Sequence, residues 1–104
     1  MDLSAEVRDG ALVIRVHEDR IDAASAIDFK DRMREAIRDP APVVVLDLSR
    51  VAFLDSSGLG AVVAVMKLLA PRKLELAALS PTVAKVFRLT RMDSVFTIHP
   101  EAPR

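Results

Sequence analysis

A continuous apolar run, Val43-Val44-Val45-Leu46, is the feature that most limits the folds open to this chain. A strand with one face in water alternates apolar and polar residues, whereas a strand covered on both faces is apolar throughout. The run, which ends at Asp47-Leu48, therefore predicts a central strand of a sheet that other parts of the chain cover on both sides.

The segments before this run predict a hairpin and a helix. Asp9-Gly10 is a favourable two-residue hairpin turn, because both residue types tolerate positive φ, and it predicts two antiparallel strands over 3–8 and 11–17. Asp22 is a suitable N-cap for a helix over 23–38. Its apolar residues share one face, as helical spacing requires, and Pro40 and Pro42 end it.

The segments after the run alternate between helix and strand. A second helix is predicted over 57–69, a strand over 74–79 and a third helix from Ser80-Pro81, which combines a capping Ser with Pro at the first helical position. A short strand over 95–98 follows. Residues 99–104 are expected to form a flexible tail.

This order of elements predicts an α/β fold in a single domain spanning residues 1–104. The sheet should be mixed and mostly parallel, with the N-terminal antiparallel hairpin and with helices packed against it. Sites in such sheets form at the carboxyl ends of strands, beside helix N-termini. The segment that follows residues 43–48 is therefore the first place to look for a function.

Composition excludes several classes of function. The 15 basic residues balance the 15 acidic ones without forming a basic block, so nucleic acid is not an expected partner. With no cysteine there is no thiolate metal site, and the spacing of Asp22, Asp47 and Asp55 does not indicate a metal site. The N-terminus does not resemble a signal peptide and the longest apolar run, 59–66, is too short to span a bilayer, so a cytoplasmic protein without membrane insertion is expected.

Ser56 and Ser57 stand where the second helix is predicted to begin. A helix start leaves its first N–H groups unpaired and carries the positive end of the dipole, so it accommodates a phosphate. A simple cap, with Gly58 and Gly60 allowing close packing, explains the same residues. Only Lys67 is charged between Leu59 and Ala70, so this helix is either covered by neighbouring helices or offers a docking surface.

Catalysis is not expected from these residues. Ser56 could be imagined as a nucleophile with His17 or His99 as its base, but the α/β-hydrolase elbow needs Gly two residues before its Ser, where this chain has Leu54. No complete set of nucleophile, base and orienting group is apparent.

The segment from Asp47 to Gly60, DLSRVAFLDSSGLG, resembles the motif of STAS domains, and most closely that of bacterial anti-sigma factor antagonists. Ile21-Asp22 and Ser80-Pro81 stand in the same order and at similar spacing. The resemblance implies that Ser56 is phosphorylated, with Ser57 as second choice, by an anti-sigma factor that is also a serine kinase. Arg91 stands where the family commonly has Gly.

The resemblance further implies a switch without a cofactor. The unphosphorylated protein would bind the anti-sigma factor and free the sigma factor, phosphate on Ser56 would end the binding, and a PP2C-type phosphatase would restore it. The residues expected to contact the partner are Ile21, Asp22, Leu54, Asp55, Ser57, Gly58, Leu59 and Val62. The alternative is a STAS subunit or scaffold of a transporter or sensory complex with no phosphate cycle. A homodimer is compatible with either function.

Overall fold

A computed structural model describes residues 1–103 and shows a five-stranded sheet, a two-stranded sheet and three helices. In chain order the elements are β1 (Leu3–Arg8), β2 (Ala11–Val16), β3 (Arg20–Ile21), α1 (Ala26–Ala36), β4 (Val43–Asp47), β5 (Phe53–Leu54), α2 (Ser56–Leu69), β6 (Lys73–Ala77), α3 (Pro81–Leu89), a 3-10 turn (Met92–Ser94) and β7 (Ile98–His99). The larger sheet has the order β1-β2-β4-β6-β7. Only the β1–β2 pairing in it is antiparallel, so the predicted α/β class is confirmed.

The predicted hairpin is confirmed in position and turn. Arg8 pairs with Ala11 across the turn, and the two turn residues have positive φ, 52° at Asp9 and 79° at Gly10. Two-residue turns of this hand match the right-handed twist of the flanking strands.

Strand β4 is covered on both faces, as its apolar run predicts. Val44 and Leu46 belong to the main core beneath the helices, together with Leu12, Ile14 and Leu76. On the opposite face, Val13, Val45 and Ala77 form a second buried cluster, against which Ala102 packs. The C-terminal segment, rather than a helix, therefore covers this side.

This packing changes the interpretation of residues 99–104. His99 lies in β7 and pairs with Ala77, and Ala102 lies on the second cluster. A flexible tail from 99 onward was therefore the wrong interpretation for these two residues, because a strand pairing and an apolar contact hold them. Arg104 lies outside the described residues.

Several element boundaries differ from those predicted. Helix α1 begins at Ala26, because Asp22 accepts hydrogen bonds from the amides of Ala24 and Ser25 and so caps the turn before the helix. Strand β6 ends at Ala77. The last strand is Ile98–His99 rather than 95–98, since Phe96 turns into the core and meets Phe87 edge-on at 5.9 Å.

Arg72 binds the backbone at the C-terminal end of α1. Its guanidinium donates to the carbonyl oxygens of Ile37, Asp39 and Ala41 at 2.6–2.8 Å. The last carbonyl groups of a helix lack partners within the helix, and a cation there also complements the dipole. The interaction fixes the connection from α1 into β4.

Candidate functional site at the start of helix α2

The two-stranded sheet brings two distant segments of the chain together. Strand β3 pairs in parallel with β5, with Arg20 opposite Phe53 and Ile21 opposite Leu54. The side chain of Arg20 lies over the Phe53 ring, 5.1 Å from its centroid, in a cation–π arrangement. Asp22 and Asp55, which follow these strands, therefore lie next to each other beside the start of α2.

Asp55 connects the start of α2 with the turn before α1. One carboxylate oxygen accepts from the amide of Gly58 at 2.9 Å, which is the N-cap bond of α2. The other oxygen accepts from the amide of Ala23 at 3.2 Å. A single side chain thus ties the first turn of α2 to the 22–25 turn, which sequence patterns do not reveal because the second partner is a backbone group.

Gly58 allows α2 to lie against β3. A Cβ atom built on Gly58 would be 2.1 Å from the carbonyl oxygen of Ile21, whereas a Cβ on Gly60 would meet nothing within 4 Å. Real Cβ atoms do not approach a backbone oxygen so closely, so only Gly fits at position 58. The expectation that glycines allow close packing here holds for Gly58 and not for Gly60.

Ser56 and Ser57 are the first two residues of α2, and both are exposed. The side chain of Asp55 accepts a hydrogen bond from the Gly58 amide, and the backbone carbonyl oxygen of Asp55 accepts one from the Leu59 amide. Within residues 1–103, no group accepts from the amides of Ser56 and Ser57. Two N–H donors at the positive end of the helix dipole are therefore open beside two exposed hydroxyl groups.

The residues expected to contact a partner divide into two groups. The side chains of Ile21, Leu54 and Val62 are buried, and Gly58 is covered by β3. In the free chain these four residues hold β3, β5 and α2 together, and their contact with a partner stays a prediction. Of the others, Ser57 is exposed, while Asp22, Asp55 and Leu59 are partly exposed.

Helix α2 is covered on one side and open on another. Its buried residues Ala61, Val62, Val65 and Leu69 face the core. Leu59, Val63 and Met66, spaced at successive turns, pack against the core but stay partly exposed. Leu68 of the same helix is 49% exposed, so neighbouring elements cover only part of the apolar surface of α2. A partly exposed apolar strip begins one turn from Ser56.

Asp47 holds the start of the loop that leads to the site. It is the one buried charged residue within the described chain, 2% exposed, and it accepts from the Ser49 amide and from the Arg15 guanidinium, each at 2.9 Å. Burial alone would raise the pKa of Asp47, but these hydrogen bonds and the charge of Arg15 outweigh it, so the pKa is lowered. The carboxylate is therefore held ionised.

The histidines have other neighbours. His17 contacts Ser4 and Arg50, and His99 contacts Glu75 at 2.8 Å. Among residues 1–103 there is no group of three side chains suited to hold a metal ion. The same part of the chain contains no helix of the length and apolarity needed to cross a membrane.

Comparison with known proteins gives one consistent family. The STAS domain family matches residues 2–102. An anti-sigma factor antagonist from Mycobacterium paratuberculosis is 29% identical, with a TM-score of 0.83 over 95% of this chain and 85% of that one. SpoIIAA, described as an anti-sigma factor antagonist and solved in its unphosphorylated form, is 26% identical, with a TM-score of 0.72 over 93% and 87%. SpoIIAA from Bacillus has also been solved in a phosphorylated form.

A part of a membrane transporter shares the fold. Murine Slc26a9, an anion transporter, is 16% identical, with a TM-score of 0.75 over 93% of this chain but only 17% of its own length. At that identity the likeness concerns the fold alone. The match over residues 2–102 and the shared fold lead to one conclusion: this chain belongs to the STAS domain family.

Proposed function

We propose that this protein is an anti-sigma factor antagonist controlled by phosphorylation of Ser56. Its unphosphorylated form binds an anti-sigma factor with serine kinase activity and frees the sigma factor, and phosphate on Ser56 ends that binding. A PP2C-type phosphatase removes the phosphate. The kinase supplies ATP and the catalytic groups, so this chain acts as substrate and ligand in the cytoplasm rather than as an enzyme.

The observation that carries the proposal is the position of Ser56. Its hydroxyl is exposed on the first residue of α2, beside two open amides, where a kinase can reach it and where a phosphate is accommodated. The similarity to SpoIIAA supports control by phosphorylation, since that protein has been solved in phosphorylated and unphosphorylated forms.

The charges around Ser56 support the direction of the switch. The carboxylates of Asp22 and Asp55 already lie at this end of α2, and Arg20, 3.5 Å from Asp22, is the nearby cation. A phosphate adds nearly two negative charges. A partner packed over Leu59 and the start of α2 would then meet additional charge that has to be desolvated, which weakens the complex.

A phosphorylation assay tests the assignment. An anti-sigma factor with serine kinase activity from the same organism is incubated with ATP and with wild-type, Ser56→Ala or Ser57→Ala protein, and intact masses are measured. We expect one phosphoryl group on the wild type and on Ser57→Ala, and none on Ser56→Ala. Both substitutions remove one exposed hydroxyl from the same helix turn, so each controls for the other.

Two outcomes would overturn the proposal. If Ser56→Ala accepts phosphate as well as the wild type does, the site is elsewhere. If the wild type accepts none and instead co-purifies stably with a membrane transport complex, the protein is a STAS subunit or scaffold without a phosphate cycle.

A further inference from the structure

Strand β1 is an open edge of the main sheet. Within residues 1–103 it pairs only with β2 and ends the strand order on that side. Its side chains are exposed apart from Leu3, and the large apolar side chain of Val7 is 57% exposed. The six-residue edge has no Pro or bulge, and no element of the described part of the chain covers it, so it is a ready partner for another strand.

The hairpin determines which backbone groups face outward. The amide of His17 donates to the carbonyl oxygen of Asp2 at 2.9 Å, so these opposite residues form a hydrogen-bonded pair. In an antiparallel ladder such pairs alternate along the strand. The even-numbered residues of β1 therefore bond to β2, and the N–H and C=O groups of Leu3, Ala5 and Val7 point away from the sheet.

We propose that β1 is a self-association edge that pairs antiparallel with β1 of a second copy, with Ala5 opposite Ala5 of that copy. The two five-stranded sheets then form one continuous sheet about a two-fold axis at Ala5. Leu3 lies opposite Val7 of the second copy, and up to about six backbone hydrogen bonds form between outward-facing residues. The exposed Val7 side chain becomes covered by the Leu3 of the second copy.

Charge disfavours the two registers nearest to this one. Alternation places Asp2, Glu6 and Arg8 on one face; with Ala5 on the axis, Asp2 lies opposite Arg8 of the second copy and Glu6 lies opposite Ser4. If the two-fold axis passed through Glu6, Glu6 would lie opposite Glu6 of the second copy. If it passed through Ser4, Asp2 would lie opposite Glu6 of the second copy. Like charges directly opposite are destabilising.

A register centred on Val7 also avoids like charges but is disfavoured by the turn. It would place Asp9 opposite Ala5, and both Asp9 and Gly10 have the positive φ of a hairpin turn rather than the extended conformation of a strand. In the register centred on Ala5, every pair that exchanges backbone hydrogen bonds lies within β1. In the free chain Arg8 forms an ion pair with Glu6 at 3.3 Å. Both side chains are about half exposed, so the Arg8 guanidinium can also reach a carboxylate across the axis.

A single-cysteine crosslink tests the register, because the chain has no cysteine of its own. Ala5→Cys places two thiols opposite each other, where the Cα atoms are about 5.5 Å apart and a disulfide can form. In the same register Val7→Cys places its thiols about 13 Å apart along the strands, too far for a bond. Val7 is well exposed, so random collision would crosslink Val7→Cys at least as readily.

Under mild oxidation of the full chain, we expect Ala5→Cys to shift from monomer to disulfide-linked dimer and Val7→Cys to stay largely monomeric. Adding Arg8→Asp to Ala5→Cys should slow the crosslink, and adding Asp2→Arg as well should restore it. Equal or faster crosslinking of Val7→Cys, or a rate for Ala5→Cys that ignores both charge changes, would overturn the proposal. The test involves no kinase or phosphate, so its result is independent of the function proposed above.

Discussion

Gly58 touches the backbone of Ile21 so closely that a methyl group on it would lie 2.1 Å from the Ile21 carbonyl oxygen. This contact sets how near α2 comes to β3, and hence where the exposed Ser56 lies relative to Asp22. The geometry of the candidate site thus depends on a residue with no side chain.

Gly58→Ala should lower the free energy of unfolding by about 1–3 kcal/mol, because the neighbouring atom is backbone and cannot rotate away. Gly60→Ala is the matched control in the same helix. Its added methyl group meets nothing within 4 Å, so we expect a gain of about 0.5–1 kcal/mol from helix propensity. Urea unfolding of both variants measures the difference, and equal effects would refute the close contact.

Asp55→Ala should cost about 1 kcal/mol through loss of the α2 cap. It should also speed hydrogen exchange at the Ala23 amide, which donates to Asp55 at 3.2 Å. Asp55→Asn keeps an oxygen for the cap and should cost less. If exchange at Ala23 is the same in all three proteins, Asp55 does not connect α2 to the 22–25 turn.

Asp47 should contribute to stability at neutral pH and lose that contribution in acid. Its pKa in the folded protein lies below the ordinary value of 3.8, so the stabilisation is complete above that value and disappears as the pH falls through the folded pKa. Asp47→Asn should therefore lower stability by about 1–3 kcal/mol at pH 7 and flatten its decline in acid. An unchanged pH profile in this variant would contradict the role given to the carboxylate.

Arg91 adopts the left-handed conformation that favours glycine, with φ of 61° after the end of α3. Arg91→Gly should raise the free energy of unfolding by about 1 kcal/mol, since the conformation is unfavourable for residues with a Cβ. Arg91→Ala removes the same charge but keeps the Cβ, so it should give no gain. Thermal unfolding compares them, and equal stabilisation by both would show that charge is the cause.

The sequence predicted those parts of the fold where the local residue types are compatible with only one backbone conformation. Asp9-Gly10 gave the hairpin turn because both residues tolerate positive φ, and Ser80-Pro81 gave the start of α3, where Ser80 accepts from the Val83 amide as a cap does. The apolar run of β4 predicted cover on both faces. That run could not reveal that Ala102 supplies part of the cover, because a single small residue near the end of the chain produces no periodic pattern.

The sequence predicted the position of the candidate site but not the strand pairing and contacts that form it. Strands β3 and β5 have two residues each, too few for any periodicity to show, so the pairing that brings Asp22 to Asp55 was missed. For the same reason Ile21 and Leu54 were expected to contact a partner, although they are buried. Asp22 looked like the N-cap of α1 because a cap for the preceding turn uses the same residue type.

The central claim is that a phosphate on Ser56 turns partner binding off. Titration calorimetry of the anti-sigma factor kinase with unphosphorylated and Ser56-phosphorylated protein, in the absence of ATP, tests it most directly. We predict binding to the unphosphorylated form and an affinity lower by about tenfold or more, about 1.4 kcal/mol, for the phosphorylated form. Equal affinity for the two forms, or tighter binding of the phosphorylated one, would contradict the account.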